Sequence, residues 1–239
     1  MWFGKQGYQA CGPLPVEQKE PSAMWVGVAA AVALGLEFSG IGKYGIMGWL
    51  VATHEFFHAM AGWLTGGAVD SIRADGAHGG VTYTVGGFYP LISCAGYLGT
   101  GLFGALCLRY SGSKAMARTF QVFCIALAAG LVVKGKYMDG YGLGMVLALA
   151  MDALAFWAAG TLRYRFVLAL VGCLYLSMGF DDAKMLLVYG TRQTDAGLLA
   201  RHIGMDFLAL PIALFYSGSM AAMWWWAFRG MALKARHVS

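Results

Sequence analysis

Apolar and polar positions along this chain follow two different periods. Long apolar runs at 23–38, 44–64, 88–108, 119–133, 141–161, 166–187 and 207–228 are separated by short polar or basic stretches such as 109–118 and 134–140. Each run is close to the ~20 residues that a helix needs to cross a bilayer core. The pattern predicts an all-α polytopic membrane protein with about six to seven transmembrane helices. After the second run the period changes. Gly66-Gly67 stops the helix, and AVDSIRA and VTYTV then alternate in the manner of strands around a turn at 75–80, predicting a small β-hairpin. Val81, Tyr83 and Val85 share one face of its second strand, and Thr82 and Thr84 the other.

Composition supports the membrane reading. The chain has 239 residues, 59% hydrophobic and 12% charged, with a mean hydropathy of +0.61. Soluble domains carry about 25% charged residues, so no soluble domain of any size fits beside the apolar runs. The polar stretch 1–22, with Gly12, Pro13, Pro15 and Pro21, reads as an extended tail, 23–228 as the membrane domain and 229–239 as a basic tail. The N-terminus has no apolar core behind a basic start and does not read as a cleaved signal peptide. A net charge of +5 sits in short loops and at the C-terminus, where lipid headgroups attract it, so nucleic acid is not the expected partner. The same counts favour a cytoplasmic side for 109–118, 163–165 and the tail. Five cysteines include no C-x-x-C pair and read as small buried hydrophobes.

The candidate chemistry lies in the second run. Thr53-His54-Glu55-Phe56-Phe57-His58 is an H-E-x-x-H string, and its surroundings from 44 to 64 are otherwise nearly all apolar. On a helix, residues four apart stand on one face, so His54 and His58 can offer two imidazole nitrogens to one metal ion. Glu55, about 100° round the helix from His54, can reach a metal-bound water. Three ionisable groups on one apolar turn are costly and mark a functional site. Two packed histidines in a chance match are the bland alternative.

A catalytic zinc takes three protein ligands and leaves a position open, so one more ligand is needed. Of the five histidines, His202 and His237 sit in polar segments and His78 in the hairpin turn. A carboxylate from another span is the better candidate. Asp181 and Asp182 lie side by side in an apolar run, where Lys184 offers a simple ion pair as the bland explanation. Asp152 lies inside the fifth run, and Asp195 stands just before a short helix that it can equally cap.

HEFFHAMAGWLTGGAVDSI, VTYTVGG, SCAGYLGTGLFGA, CLYLSMGFDD and TDAGLLARHIG together resemble the site-2-protease-type intramembrane zinc metallopeptidases, in the compact branch without an inserted PDZ domain. The likeness runs from about Thr53 to Gly204. It implies a zinc-dependent endopeptidase, with one zinc per chain, that cleaves membrane-embedded or membrane-adjacent protein substrates. It further implies His54 and His58 as ligands, Glu55 as general base and an acid on a later helix as third ligand. Better-studied members carry that acid in an Asp-Gly motif. The chain has none in a late helix, Asp139-Gly140 being in a loop, and the role is carried to Asp181-Asp182 with Asp182 ahead. A multi-pass protein of the cell (plasma) membrane is expected.

The hairpin after the motif helix can be an ordinary exposed loop, or can lie beside the metal and offer an edge to an extended substrate at Val81, Tyr83 and Val85. Gly96, Gly99, Gly101 and Gly104 predict close approach of the third span to another helix, with the metal helix as its expected neighbour. Two competing readings remain. A di-iron desaturase needs more histidine boxes than this chain has. A transporter or silent scaffold would use Asp152 and the Asp181-Asp182 pair for ions.

Overall fold

The computed structural model describes residues 23–37, 39, 46–75, 79–135, 150, 151, 153, 154, 157, 164–188 and 194–236. Within them are α1 Ala23–Glu37, α2 Met47–Leu64, β1 Ala68–Asp75, β2 Gly79–Val85, α3 Tyr89–Arg109, α4 Lys114–Lys134, α5 Tyr164–Val188, α6 Asp195–His202 and α7 Ala209–Arg236. The described residues are mostly helical, with one two-stranded antiparallel sheet. Among the described residues, four stretches are long and apolar enough to cross a membrane: Tyr89–Arg109, Lys114–Lys134, Tyr164–Asp182 and Asp206–Ala232. The tail expected at 1–22, most of the expected fifth span with Asp152, His78 and His237 lie outside the described residues.

Local signals set the boundaries. Gly66 takes a φ of 81°, and the Gly67 amide turns back to donate to the Gly62 carbonyl at 2.9 Å, which ends α2. Pro90 opens α3, where its missing N–H costs nothing. The Ser113 side chain accepts from the Met116 amide at the start of α4, so this helix begins inside the stretch that the basic residues suggest as a loop. The last helix likewise runs through residues expected as a tail, to Arg236.

At the centre stands α3, packed against α2, α5 and α7, while α1 packs on α5 and the hairpin lies across α2. Gly96 and Gly99 face α2, as the glycine spacing suggests, whereas Gly101 faces Met220 of α7 and Gly104 faces Tyr175 of α5 and Trp224 of α7. The small residues of α3 therefore admit three neighbours. An aromatic cluster fills the space beside them, with Phe103 meeting Phe57, Phe120, Phe123 and Tyr175 at centroid distances of 6.2, 6.0, 4.2 and 6.0 Å. The helical period divides the Trp224-Trp225-Trp226 triplet. Trp224 is buried in the core, Trp225 is exposed, and Trp226 takes the Arg109 guanidinium over its ring at 4.1 Å. Cys107, Cys124 and Cys173 are buried thiols.

In the hairpin Ala68 pairs with Val85 and Asp75 with Gly79, with an irregularity between Val69 and Ser71. The outer side of β1 is joined through Ile72 to Gly135, just past α4. Among the described residues β2 pairs only with β1, and its second edge meets no other strand of theirs.

Candidate metal centre

Every residue of α2 from Gly48 to Gly62 is buried except Phe57 and Met60, so the polar groups of the motif are held inside the bundle. The helical spacing does what the string predicts. His54 and His58 stand one above the other, with ring centroids 4.8 Å apart. The Nδ1 of His58 lies 2.5 Å from the Ile92 carbonyl of α3. A carbonyl can only accept, so Nδ1 carries a hydrogen, and in the neutral ring the Nε2 lone pair points into the site. His54 packs edge-on against Tyr97, at a centroid distance of 4.7 Å.

The acid that meets both imidazoles is Asp195. Its Oδ2 lies 3.3 Å from His54 Nε2 and 3.2 Å from His58 Nε2. These two histidines and Asp195 form the group among the described residues whose ligand atoms all lie within 4.8 Å of one another. Asp195 is the first residue of α6, yet it does not cap that helix. Thr194 does, accepting from the Gly197 amide, and the Asp195 carboxylate is released to face α2. Ser93 of α3 donates to the Asp195 backbone carbonyl at 2.9 Å. Since the single hydroxyl hydrogen of Ser93 goes there, the Tyr216 hydroxyl, 3.1 Å away on α7, donates to Ser93. Three helices are thus tied at one point. Burial pushes the Asp195 carboxyl up, but when His58 and His54 carry a proton their imidazolium rings outweigh it and hold the group well below the usual carboxylate range.

Glu55 is buried under the hairpin. The Thr82 hydroxyl of β2 lies 2.8 Å from both the Glu55 carboxylate Oε2 and the Glu55 backbone carbonyl, and these two acceptors share its one hydrogen. A Cβ on Gly80 would come within 2.5 Å of Glu55 Cγ, so the start of β2 closes over this side chain only because residue 80 is glycine. Thr82 and Thr84 form the inner face of the strand and Val81, Tyr83 and Val85 the exposed one. The alternation in VTYTV is therefore real, and the face in touch with the site is the threonine face.

The chemistry of this donor set fits a metal ion. With its hydrogen on Nδ1, His58 presents an acceptor lone pair to another acceptor, the Asp195 carboxylate, and its buried Nε2 has no hydrogen bond. Two acceptors at this separation require a cation or a proton between them. Gly96 of α3 points at the same spot: a Cβ there would run into the Nε2 atoms of both histidines. The space a methyl group would fill is the space where an ion bound by the two imidazoles would sit. Two carboxylates and two neutral imidazoles carry a charge that a divalent cation offsets.

A model of the Peptidase M50B-like family matches residues 26–233, most of the chain. The chain belongs to the Peptidase M50B-like family. This M50B-like chain is therefore a member of the site-2-protease family of membrane peptidases, and its four long apolar helices make it an integral membrane protein. The match covers every element that supplies the site. No curated protein and no solved structure matches the chain significantly.

Of the residues singled out from the sequence, His54, Glu55 and His58 come together as the spacing requires. Asp181 and Asp182, placed first for the third ligand, do not join the group that His54 and His58 form. They lie near the far end of α5, and no ion pair joins Asp182 to Lys184 among the described residues. Asp195 joins that group instead. His202 is exposed and stacks on Tyr89, at a centroid distance of 4.3 Å. Ser93, Tyr97, Thr82 and Tyr216 were not singled out for the site by sequence reasoning. Each is an ordinary residue in an apolar or strand context, and only its neighbours give it a role.

Proposed function

We propose that this M50B-like chain is a zinc-dependent intramembrane endopeptidase of the plasma membrane, with His54, His58 and Asp195 as the metal ligands and Glu55 as the general base. The observation that carries the reading is the convergence of two imidazoles and a carboxylate beside a buried glutamate on the same helix. Three protein ligands with an open position are the pattern of a catalytic zinc. Bound there, the zinc supplies Lewis acidity, making a water more acidic and polarising a scissile carbonyl.

The remaining work falls to the chain's own residues. Glu55 takes a proton from the attacking water and passes it to the leaving amine, with Thr82 fixing one carboxylate oxygen so that Oε1 is the free one. Asp195 remains ionised beside the imidazoles and is held in place through Ser93. A membrane-spanning helix has its peptide bonds closed by internal hydrogen bonds, so a protein substrate must unwind locally before it is cut. The open edge of β2 can receive the unwound stretch as an added strand, with Val81, Tyr83 and Val85 offering side-chain contact on the exposed face. Because Thr82 and Gly80 of this strand touch Glu55, a segment paired along it passes beside the base.

Glu55→Gln is the direct test, with fluorescently labelled casein and a transmembrane peptide as probes on detergent-purified protein. Hydrolysis by the parent should fall by at least 100-fold in the variant while zinc content stays near one per chain. Hydrolysis that survives the change removes Glu55 from the mechanism. A transporter or scaffold would show no hydrolysis in the parent either.

A further inference from the structure

Among the buried polar atoms without a partner, two are chemically complementary. One is His54 Nδ1 and the other is Asp182 Oδ2. His54 directs its Nε2 at Asp195, so if it ligates a metal as the proposed function has it, the imidazole is neutral and its hydrogen must sit on Nδ1. His58 meets the same requirement through the Ile92 carbonyl. His54 has no such acceptor, and a buried N–H left without one is costly. Asp182 sits on α5, which packs against both α3 and α2, and its charge is close enough to act on His54 and Asp195. Its oxygens nevertheless stay outside the group of metal-facing atoms, and Lys184 is exposed.

We infer that Asp182 is a positioning residue for His54: its carboxylate accepts the Nδ1 hydrogen of that imidazole, directly or through one water, and does not bind the metal. An anionic acceptor there fixes the tautomer, holds the ring plane and makes Nε2 a stronger donor to a cation. The two ligating histidines then differ in what supports them. His58 leans on a main-chain carbonyl that no substitution at 92 removes, and His54 on a side chain that can be changed.

The test measures metal affinity and needs no substrate. Full-length protein in detergent is stripped of metal and titrated with Co²⁺ and with Zn²⁺ against a competing chelator, for the parent, Asp182→Asn, Asp182→Ala and Asp195→Ala. Asp182→Ala should still bind one metal per chain at saturation, with affinity lowered by about 10–100-fold and the Co²⁺ absorption bands shifted. Asp182→Asn, whose amide oxygen still accepts from Nδ1, should fall between it and the parent. That isosteric variant also keeps the question answerable if the alanine variant fails to fold. Asp195→Ala should bind no metal at the site. If Asp182→Asn or Asp182→Ala loses metal as completely as Asp195→Ala, with helical content retained, Asp182 is a ligand and the inference is wrong. Unchanged affinity in both variants overturns it equally. A parent that binds neither metal sinks the zinc reading itself, and the inference with it.

Discussion

The two sides of the metal centre are built differently. On the side of the hairpin, α3 and α6, three groups of the site are braced by named partners: Glu55 by Thr82, His58 Nδ1 by Ile92, and the Asp195 backbone by Ser93. On the side of α5, His54 Nδ1 and Asp182 Oδ2 are buried without one. The first side is pre-organised, since ordered partners hold the groups in place before any ligand arrives. The second is where an ion, a water or a shift of one side chain completes the arrangement. Substitutions on the braced side should remove a function outright or weaken a defined contact, whereas those on the open side should give the graded losses described for Asp182.

The largest break expected is Asp195→Ala. It removes the acid shared by both imidazoles, and zinc bound per chain, read by elemental mass spectrometry, should drop from about one to near zero. Zinc retained in that variant would move the ligand role back toward α5. Gly96→Ala comes next. Its methyl group would occupy the space between the two Nε2 atoms, so metal content should fall severalfold while helix content by circular dichroism is kept. A variant that binds zinc normally would show that α3 can retreat from the histidines.

Thr82→Val has a smaller effect and a sharper meaning. Valine keeps the shape and removes the donor to Glu55, a charge-assisted bond worth about 1.5–3 kcal/mol, so the hydrolysis rate should fall by roughly 10–100-fold with zinc unchanged. Thr82→Ser should stay near the parent rate. Loss of zinc in the valine variant would mean that the hairpin supports the ligands as well as the base. The smallest change is Thr194→Ala. It removes the cap of α6, should cost about 1 kcal/mol, and should lower the apparent melting temperature by about 2–4 °C. Metal binding should weaken little, because Ser93 still holds the Asp195 backbone.

Much of this architecture was legible in the chain as written. The period of 3.6 places His54, Glu55 and His58 on one turn whatever surrounds them, because their geometry needs only the helix that carries them. The two-residue alternation of VTYTV sets its threonines against its valines and tyrosine for the same local reason. Apolar run lengths predicted α3, α4, α5 and α7, which long hydrophobic stretches dictate without reference to partners. The spacing of Gly96 and Gly99 foretold close approach to α2.

The choice of acid was of another kind. Asp195 is 141 positions from His54, on a helix too short and polar to span a membrane, and in the sequence it sits where a cap would sit. Nothing local distinguishes it from Thr194 beside it. Asp181 and Asp182 stand out in sequence because carboxylates are costly in an apolar run, but cost says only that a role exists. What an acid touches depends on which helix crosses which, and on the direction its side chain takes at that crossing. The packing of α6 against α3 and α7 decided that Asp195 meets the histidines. The packing of α5 kept Asp182 out of the group that meets both of them.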